Sequence, residues 1–211
     1  MSDLPLIAVL DYGIGNLRSA QKALEHVGAD ARLTADRGLI AEAVGVVLPG
    51  VGAFGRCMDA LREAGLAGVA HDAATAAAAG EGRPFLGVCV GLQMLFDGSD
   101  ENPETPGLGV VPGRVHLLPE GVKRPQMQWN TLQWTGPTAM SEGLTDPAWV
   151  YFVHSYFGQP DDPADVIATC DYGTTVTAAI ERNRLWATQF HPEKSAANGL
   201  RMLQNFVSIC D

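Results

Sequence analysis

Fourteen basic against twenty-four acidic residues give the 211-residue chain a net charge of −10, a balance that repels phosphate backbones and argues against nucleic-acid binding. The hydrophobic share of 46% is ordinary for a globule with a full core, and no apolar run has the length needed to cross a bilayer. The start, MSDLPLIAVLD, carries an acid and no basic segment ahead of its apolar residues, so no signal peptide, a cytoplasmic location and a single domain over residues 1–211 are expected.

Residues 6–10 form an apolar, strand-like run. The turn DYGIGN follows, and then a helical pattern with Leu17, Ala20, Leu24 and Val27 on one face, closed by Gly28. This is a βα unit of the doubly wound kind. Gly13 and Gly15 are followed by Arg18 where a dinucleotide fingerprint wants a third glycine, so no nucleotide cofactor is expected. Short strands at 31–34 and 46–48 continue the alternation, the second running into PGVGAF at 49–54. Helical segments cover 56–79, with an alanine-rich face suited to close packing on a sheet, and 80–84 breaks them.

Residues 84–97, PFLGVCVGLQMLFD, carry the strongest chemical signal. Phe85, Leu86 and Val88 suit a buried strand, and Leu92, Met94, Leu95 and Phe96 suit the first turns of a helix. Gly87 and Gly91 allow a sharp elbow between them, with Cys89 at its tip. A thiol at the positive end of a helix, with a histidine nearby, ionises more readily than a free one, as a nucleophile requires. Residues 98–109 read as a polar surface connection.

Beyond this point the pattern changes to a run of strands, at 110–118, 127–134, 150–157, 166–170, 176–180 and 185–190, with ERNR as a hairpin turn between the last two. A mostly antiparallel section therefore follows the alternating βα part. A last amphipathic helix from Ser195, with Leu200, Leu203, Phe206 and Val207 as its apolar members, returns to cover the sheet.

A cysteine nucleophile needs a base, and the base needs a group that fixes its tautomer. In QFHPEKS, His191 and Glu193 stand two apart, so both side chains can point to one side. The amide of Val90 is the natural first donor to an oxyanion on Cys89, and the PGVG loop could present a second. His26, His71, His116 and His154 read as structural or solvated. Cys57, Cys170 and Cys210 read as small buried residues, and neither a disulfide framework nor a metal site has the required spacing. On these residues alone a redox or regulatory module built around Cys89 also stands open.

The order Cys89, His191, Glu193, in GVCVGLQ and HPE, resembles the class I glutamine amidotransferase family. DYGIGNLRS, PGVGAF, WN at 129–130, YFVHSYF at 151–157 and ATQFHPEKS are similar to the glutaminase subunits of imidazole glycerol phosphate synthases. Related glutaminases of anthranilate and aminodeoxychorismate synthesis share the elbow and lack the DYGIGN opening.

The resemblance implies a flavodoxin-like α/β fold, a central mostly parallel sheet flanked by helices with an antiparallel C-terminal section. It implies hydrolysis of L-glutamine without a cofactor, in a heterodimer with a (β/α)8-barrel cyclase that receives the ammonia in histidine biosynthesis. It further implies a γ-glutamyl thioester on Cys89, a proton shuttle at His191 and an orienting role for Glu193. Gln93, Ser155 and Tyr156 would line the glutamine pocket. Val51 and Val90, with Gly52 beside them, would form the oxyanion hole, and Tyr151, Trp129 and Lys194 would lie at or near the cyclase. One segment departs from the family: PQMQWN places Gln126 and Gln128 where histidine and glycine are usual, which bears on local loop shape and on any contact there.

Overall fold

The computed structural model describes residues 4–210. In chain order it comprises β1 (Leu6–Leu10), α1 (Leu17–His26), β2 (Asp30–Thr34), α2 (Arg37–Glu42), β3 (Gly45–Gly50), α3 (Phe54–Glu63), α4 (Ala67–Ala79), β4 (Phe85–Cys89) and the single turn α5 (Val90–Gln93). There follow β5 (Gly98–Ser99), β6 (Gly113–Leu117), β7 (Gln126–Thr131), β8 (Gln133–Trp134), β9 (Trp149–His154), β10 (Tyr156–Pro160), β11 (Val166–Asp171), β12 (Thr175–Arg182), β13 (Leu185–Thr188) and α6 (Ala196–Ser208).

An eight-stranded sheet in the order β2-β1-β3-β4-β13-β12-β11-β8 forms the centre. Its first five strands are parallel and its last three antiparallel, so the two halves expected from the sequence share one sheet. β3 and β4 are buried along their whole length, as central parallel strands covered on both faces must be. The alanines of α4 give it its fit: Ala70, Ala74 and Ala77 are its buried members, and Gly80 closes the helix in the left-handed conformation at φ 80°. Leu203, Phe206 and Val207 of α6 are buried with Met202, while Leu200 is half-buried.

Three expectations change. The helix after Cys89 is one turn long, because the carbonyls of Met94, Leu95 and Phe96 accept hydrogen bonds from Leu108, Val110, Val111 and Gly109 instead of continuing a ladder. The 98–109 connection runs over the surface as expected, with Gly98 and Ser99 its buried members, and is anchored at its end by those bonds from Leu108 and Gly109. The apolar run at 150–157 is two strands that part at Ser155, β9 pairing with β7 and β10 with β6. The run at 127–134 likewise divides, β7 going to β9 and β8 to the edge of the main sheet. α2 escapes sequence reading because Ile40 is its only buried residue; the Asp36 carboxylate, accepting from Leu39 N at 2.9 Å, starts it. Gln126 and Gln128 sit in an unbroken ladder, opposite His154 and Phe152, so the unusual pair leaves the strand regular.

Candidate active site

Cys89 is the last residue of β4 and precedes α5, with φ 56° and ψ −110°. A side chain at that φ is strained and is held only where its surroundings fix it. Here the neighbours are glycines. Gly50 of β3 pairs with Cys89, and a Cβ on Gly91 would stand 1.8 Å from Leu48 O. The elbow is thus wedged against the adjacent strand, and the sulfur is turned into a cavity of about 550 Å³.

His191 enters the same cavity from the segment after β13. Its backbone N–H donates to Tyr151 O at 3.0 Å, and its carbonyl accepts from Ser195 Oγ at 2.7 Å. Nδ1 lies 2.8 Å from Glu193 Oε1, so the carboxylate sets the proton on Nδ1 and leaves Nε2 for chemistry. Burial alone would favour the neutral ring, but the Cys89 sulfur and the Glu193 carboxylate outweigh it and lift the imidazole to about 10. For Glu193, burial pushes upward and the His191 hydrogen bond and charge more than reverse it, holding the carboxyl below its usual range. Among the described residues Nε2 has no partner at ordinary hydrogen-bond geometry. The Cys89 sulfur faces it across one space, near enough that its pull is a main cause of the raised imidazole.

The cavity also takes in Val51, Gly52, Val90, Gln93, Ser155, Tyr156 and Lys194. The PGVG loop leaves β3 beside the elbow. Tyr12 Oη donates to Pro49 O at 2.5 Å and Cys57 Sγ to Val51 O at 3.2 Å, and Gly52 takes φ 90°. Gln93 is more committed than expected: its Nε2 donates to Tyr156 O at 2.8 Å and to Gln189 Oε1 at 3.1 Å. Tyr151 and Trp129 lie outside the cavity. They meet edge to face, ring centres 6.0 Å apart, on the outer side of the β7–β9 ladder.

Three residues with no local signature join the site. Asn16, from DYGIGN, donates through Nδ2 to Glu193 Oε1 at 3.2 Å and lines the cavity. Glu101 also lines it, and its Oε2 accepts from Phe54 N at 2.8 Å at the start of α3. Gln189 places Nε2 3.7 Å from Cys89 Sγ. A turn motif and a polar loop could flag the first two as ordered, but nothing in the sequence aims them at the thiol.

The family model described as glutamine amidotransferase class-I matches residues 8–210, and the chain belongs to that family. Solved structures agree in fold. A glutamine amidotransferase superposes with a TM-score of 0.72 at 20% identity, covering 97% of this chain and 98% of that one. PurLQS from Thermotoga maritima gives 0.74 at 19%, with the same coverage.

Closer relatives narrow the class. The chain is 49% identical to imidazole glycerol phosphate synthase subunit HisH of Synechococcus elongatus, over 99% of this chain and 95% of the relative. It is 47% identical to the HisH subunit of Syntrophotalea carbinolica, over 95% and 98%. The HisH subunit of Methanothermobacter thermautotrophicus follows at 46%, over 97% and 98%. Among class I glutamine amidotransferases the chain thus belongs with the HisH subunits.

Proposed function

We propose that this chain, as one domain, is the glutaminase subunit of a cytoplasmic imidazole glycerol phosphate synthase, and that Cys89, His191 and Glu193 carry the hydrolysis. The observation that bears most weight is the shared cavity: a strained cysteine and an imidazole held by a buried carboxylate open onto one space. The Cys89 sulfur, as thiolate beside the His191 imidazolium, adds to the carboxamide carbon of glutamine. Charge on the former carbonyl oxygen is met by the amides of Val90 and Val51. His191 gives its proton to the nitrogen, ammonia leaves, and a γ-glutamyl thioester remains on Cys89. His191 then takes a proton from water as its oxygen adds to the thioester, and collapse returns glutamate and the thiol.

Glu101 supplies a carboxylate for the substrate's α-ammonium group, and Ser155 and Tyr156 bound the same pocket. A cyclase barrel would dock on the outer face of β7 and β9, where Met127, Trp129 and Trp149 are exposed large apolar side chains. Val153 lines the cavity and pairs with Met127 across that ladder, so ammonia would have a short way to the partner. Lys194, exposed at the cavity's rim, would sit near the same contact.

The test is ammonia release from glutamine by this chain, with and without a barrel cyclase and its nucleotide ligand. Cys89→Ala should abolish glutamine-driven synthesis and leave synthesis driven by added ammonium intact. Loss of both in an assembled complex would overturn the division of labour.

A further inference from the structure

Which end of each buried amide faces the nucleophile can be settled from one group that has no choice. The carbonyl of Tyr156 can only accept. It receives His154 Nδ1 at 2.9 Å and Gln93 Nε2 at 2.8 Å, and this fixes the nitrogen end of the Gln93 amide. The same nitrogen stands 3.1 Å from the Gln189 amide, which must therefore present its oxygen there. Its own nitrogen is left 3.7 Å from Cys89 Sγ. Both glutamines are buried, Gln189 completely. Turning the Gln189 amide over would set the N–H groups of two buried glutamines against each other and leave an oxygen facing the sulfur, giving up both contacts.

We infer that Gln189 is a dedicated hydrogen-bond donor to the Cys89 sulfur, held in that orientation by Gln93 and the Tyr156 carbonyl, and that it favours the thiolate before glutamine is attacked. A neutral amide neither takes nor gives a proton at working pH, so Gln189 does not compete with His191 as base. Its share is to hold the sulfur and to strengthen its contact as negative charge gathers there, since hydrogen bonds to ions exceed those to neutral acceptors. Gln93 then acts first through Gln189 and the Tyr156 backbone, because its nitrogen is already engaged at both.

This inference rests on the reading of Cys89 as the glutaminase nucleophile. The test uses the complex with the cyclase, carrying wild type, Gln189→Met or Gln189→Glu, and follows iodoacetamide labelling of Cys89 by peptide mass across a pH series. Both variants should shift the midpoint of labelling upward by about one pH unit or more, the effect of one hydrogen bond to a charged group. Glutamine turnover at neutral pH should fall roughly tenfold for each such unit, while ammonium-driven synthesis holds. A variant that assembles and labels with the wild-type profile overturns the proposal. Should neither variant fold, the side-chain amide signals of Gln189 in the wild-type complex decide by NMR. They should move with the labelling midpoint and stay flat in Cys89→Ser; flat signals in wild type overturn it. If wild type fails to release ammonia from glutamine, the functional reading falls, and the labelling profiles still report separately on the Gln189–Cys89 contact.

Discussion

The imidazole of His191 and the carboxylate of Glu193 face each other at 2.8 Å with side chains only 2% and 4% exposed. Buried ions of this kind persist only when each neutralises the other. The pairing has a definite pH signature. His191 is raised in the fold to about 10, above the ordinary histidine value of about 6.5, so between these two values the folded chain binds the extra proton. Its stabilising effect is whole below about 6.5 and drains away as pH climbs through the higher value. Glu193 is shifted down, so its share is present above the ordinary carboxylate range and is lost as pH falls through the lowered value. Glu193→Gln should therefore bring the alkaline loss of stability to lower pH and weaken the acid limb. Urea unfolding across a pH series checks this, and superimposable curves for wild type and variant would refute it.

On activity the same substitution should cost less than removal of the sulfur. Glu193 orients and charges His191 but forms no bond to glutamine. A loss on the order of a hundredfold in kcat is expected, at the lower end for a positioned acid–base pair. Cys89→Ala should leave no measurable glutaminase. Steady-state ammonia release compares them, and equal losses would mean that Glu193 does more than orient.

The elbow makes a steric prediction. A methyl at Gly91 would meet Leu48 O at 1.8 Å, and one at Gly50 would meet Gly91 N at 2.7 Å; both obstacles are backbone. Gly91→Ala must push α5 away from β3 or tilt the elbow, at a cost of about 1–3 kcal/mol or more. Activity should fall further than stability explains, because the sulfur moves with the elbow. Thermal unfolding and glutamine turnover on one preparation separate the two effects.

How far the sequence carried depends on where each partner lies along the chain. β1, β3 and β4 are legible because unbroken apolar runs bounded by turns can only be buried strands, and Cys89 because two glycines bracket it. His191 and Glu193 are legible as a pair, since a spacing of two sets them on one side. The length of α5 is not. Leu92, Met94, Leu95 and Phe96 are all fully buried, so they show no helical face, and the carbonyls of the last three find their partners at residues 108–111. Asn16 reaches Glu193 from 177 positions away, Glu101 reaches α3 from 47 and Gln189 reaches Cys89 from 100. A polar side chain that acts only through so distant a partner leaves no local trace.

His154 has the opposite pH signature to His191. Burial holds it down to about 4, partly offset by its hydrogen bond to Tyr156 O, and the charge of His191 adds a lesser downward push. Between that value and about 6.5 the unfolded chain takes a proton that the folded chain refuses, so stability must fall as pH drops through the window. The slope from this group approaches about 1.4 kcal/mol per pH unit. His154→Gln keeps an amide donor for Tyr156 O and has nothing to titrate, so its unfolding free energy should decline less between neutral and mildly acid pH. Parallel declines would show that His154 does not report its burial in this way.

The outer face of β7 and β9 carries the last prediction. Trp129 and Tyr151 are cross-strand neighbours, and Trp129 is 44% exposed, beside Met127 at 60% and Trp149 at 49%. A tryptophan left this open gains little for the isolated fold, so Trp129→Ala should change stability by no more than about 0.5 kcal/mol. Against a partner the balance differs. A central aromatic anchor that loses its water on docking contributes on the order of 2 kcal/mol or more, and the variant should bind a barrel cyclase at least tenfold more weakly. Its ammonium-driven synthesis at saturating cyclase should be unchanged, because that chemistry belongs to the barrel, while glutamine-driven synthesis at limiting cyclase should fall in step with binding. Titration calorimetry and the two synthesis assays read these separately. Undiminished affinity would remove this face from the interface and leave its exposed aromatics to another partner.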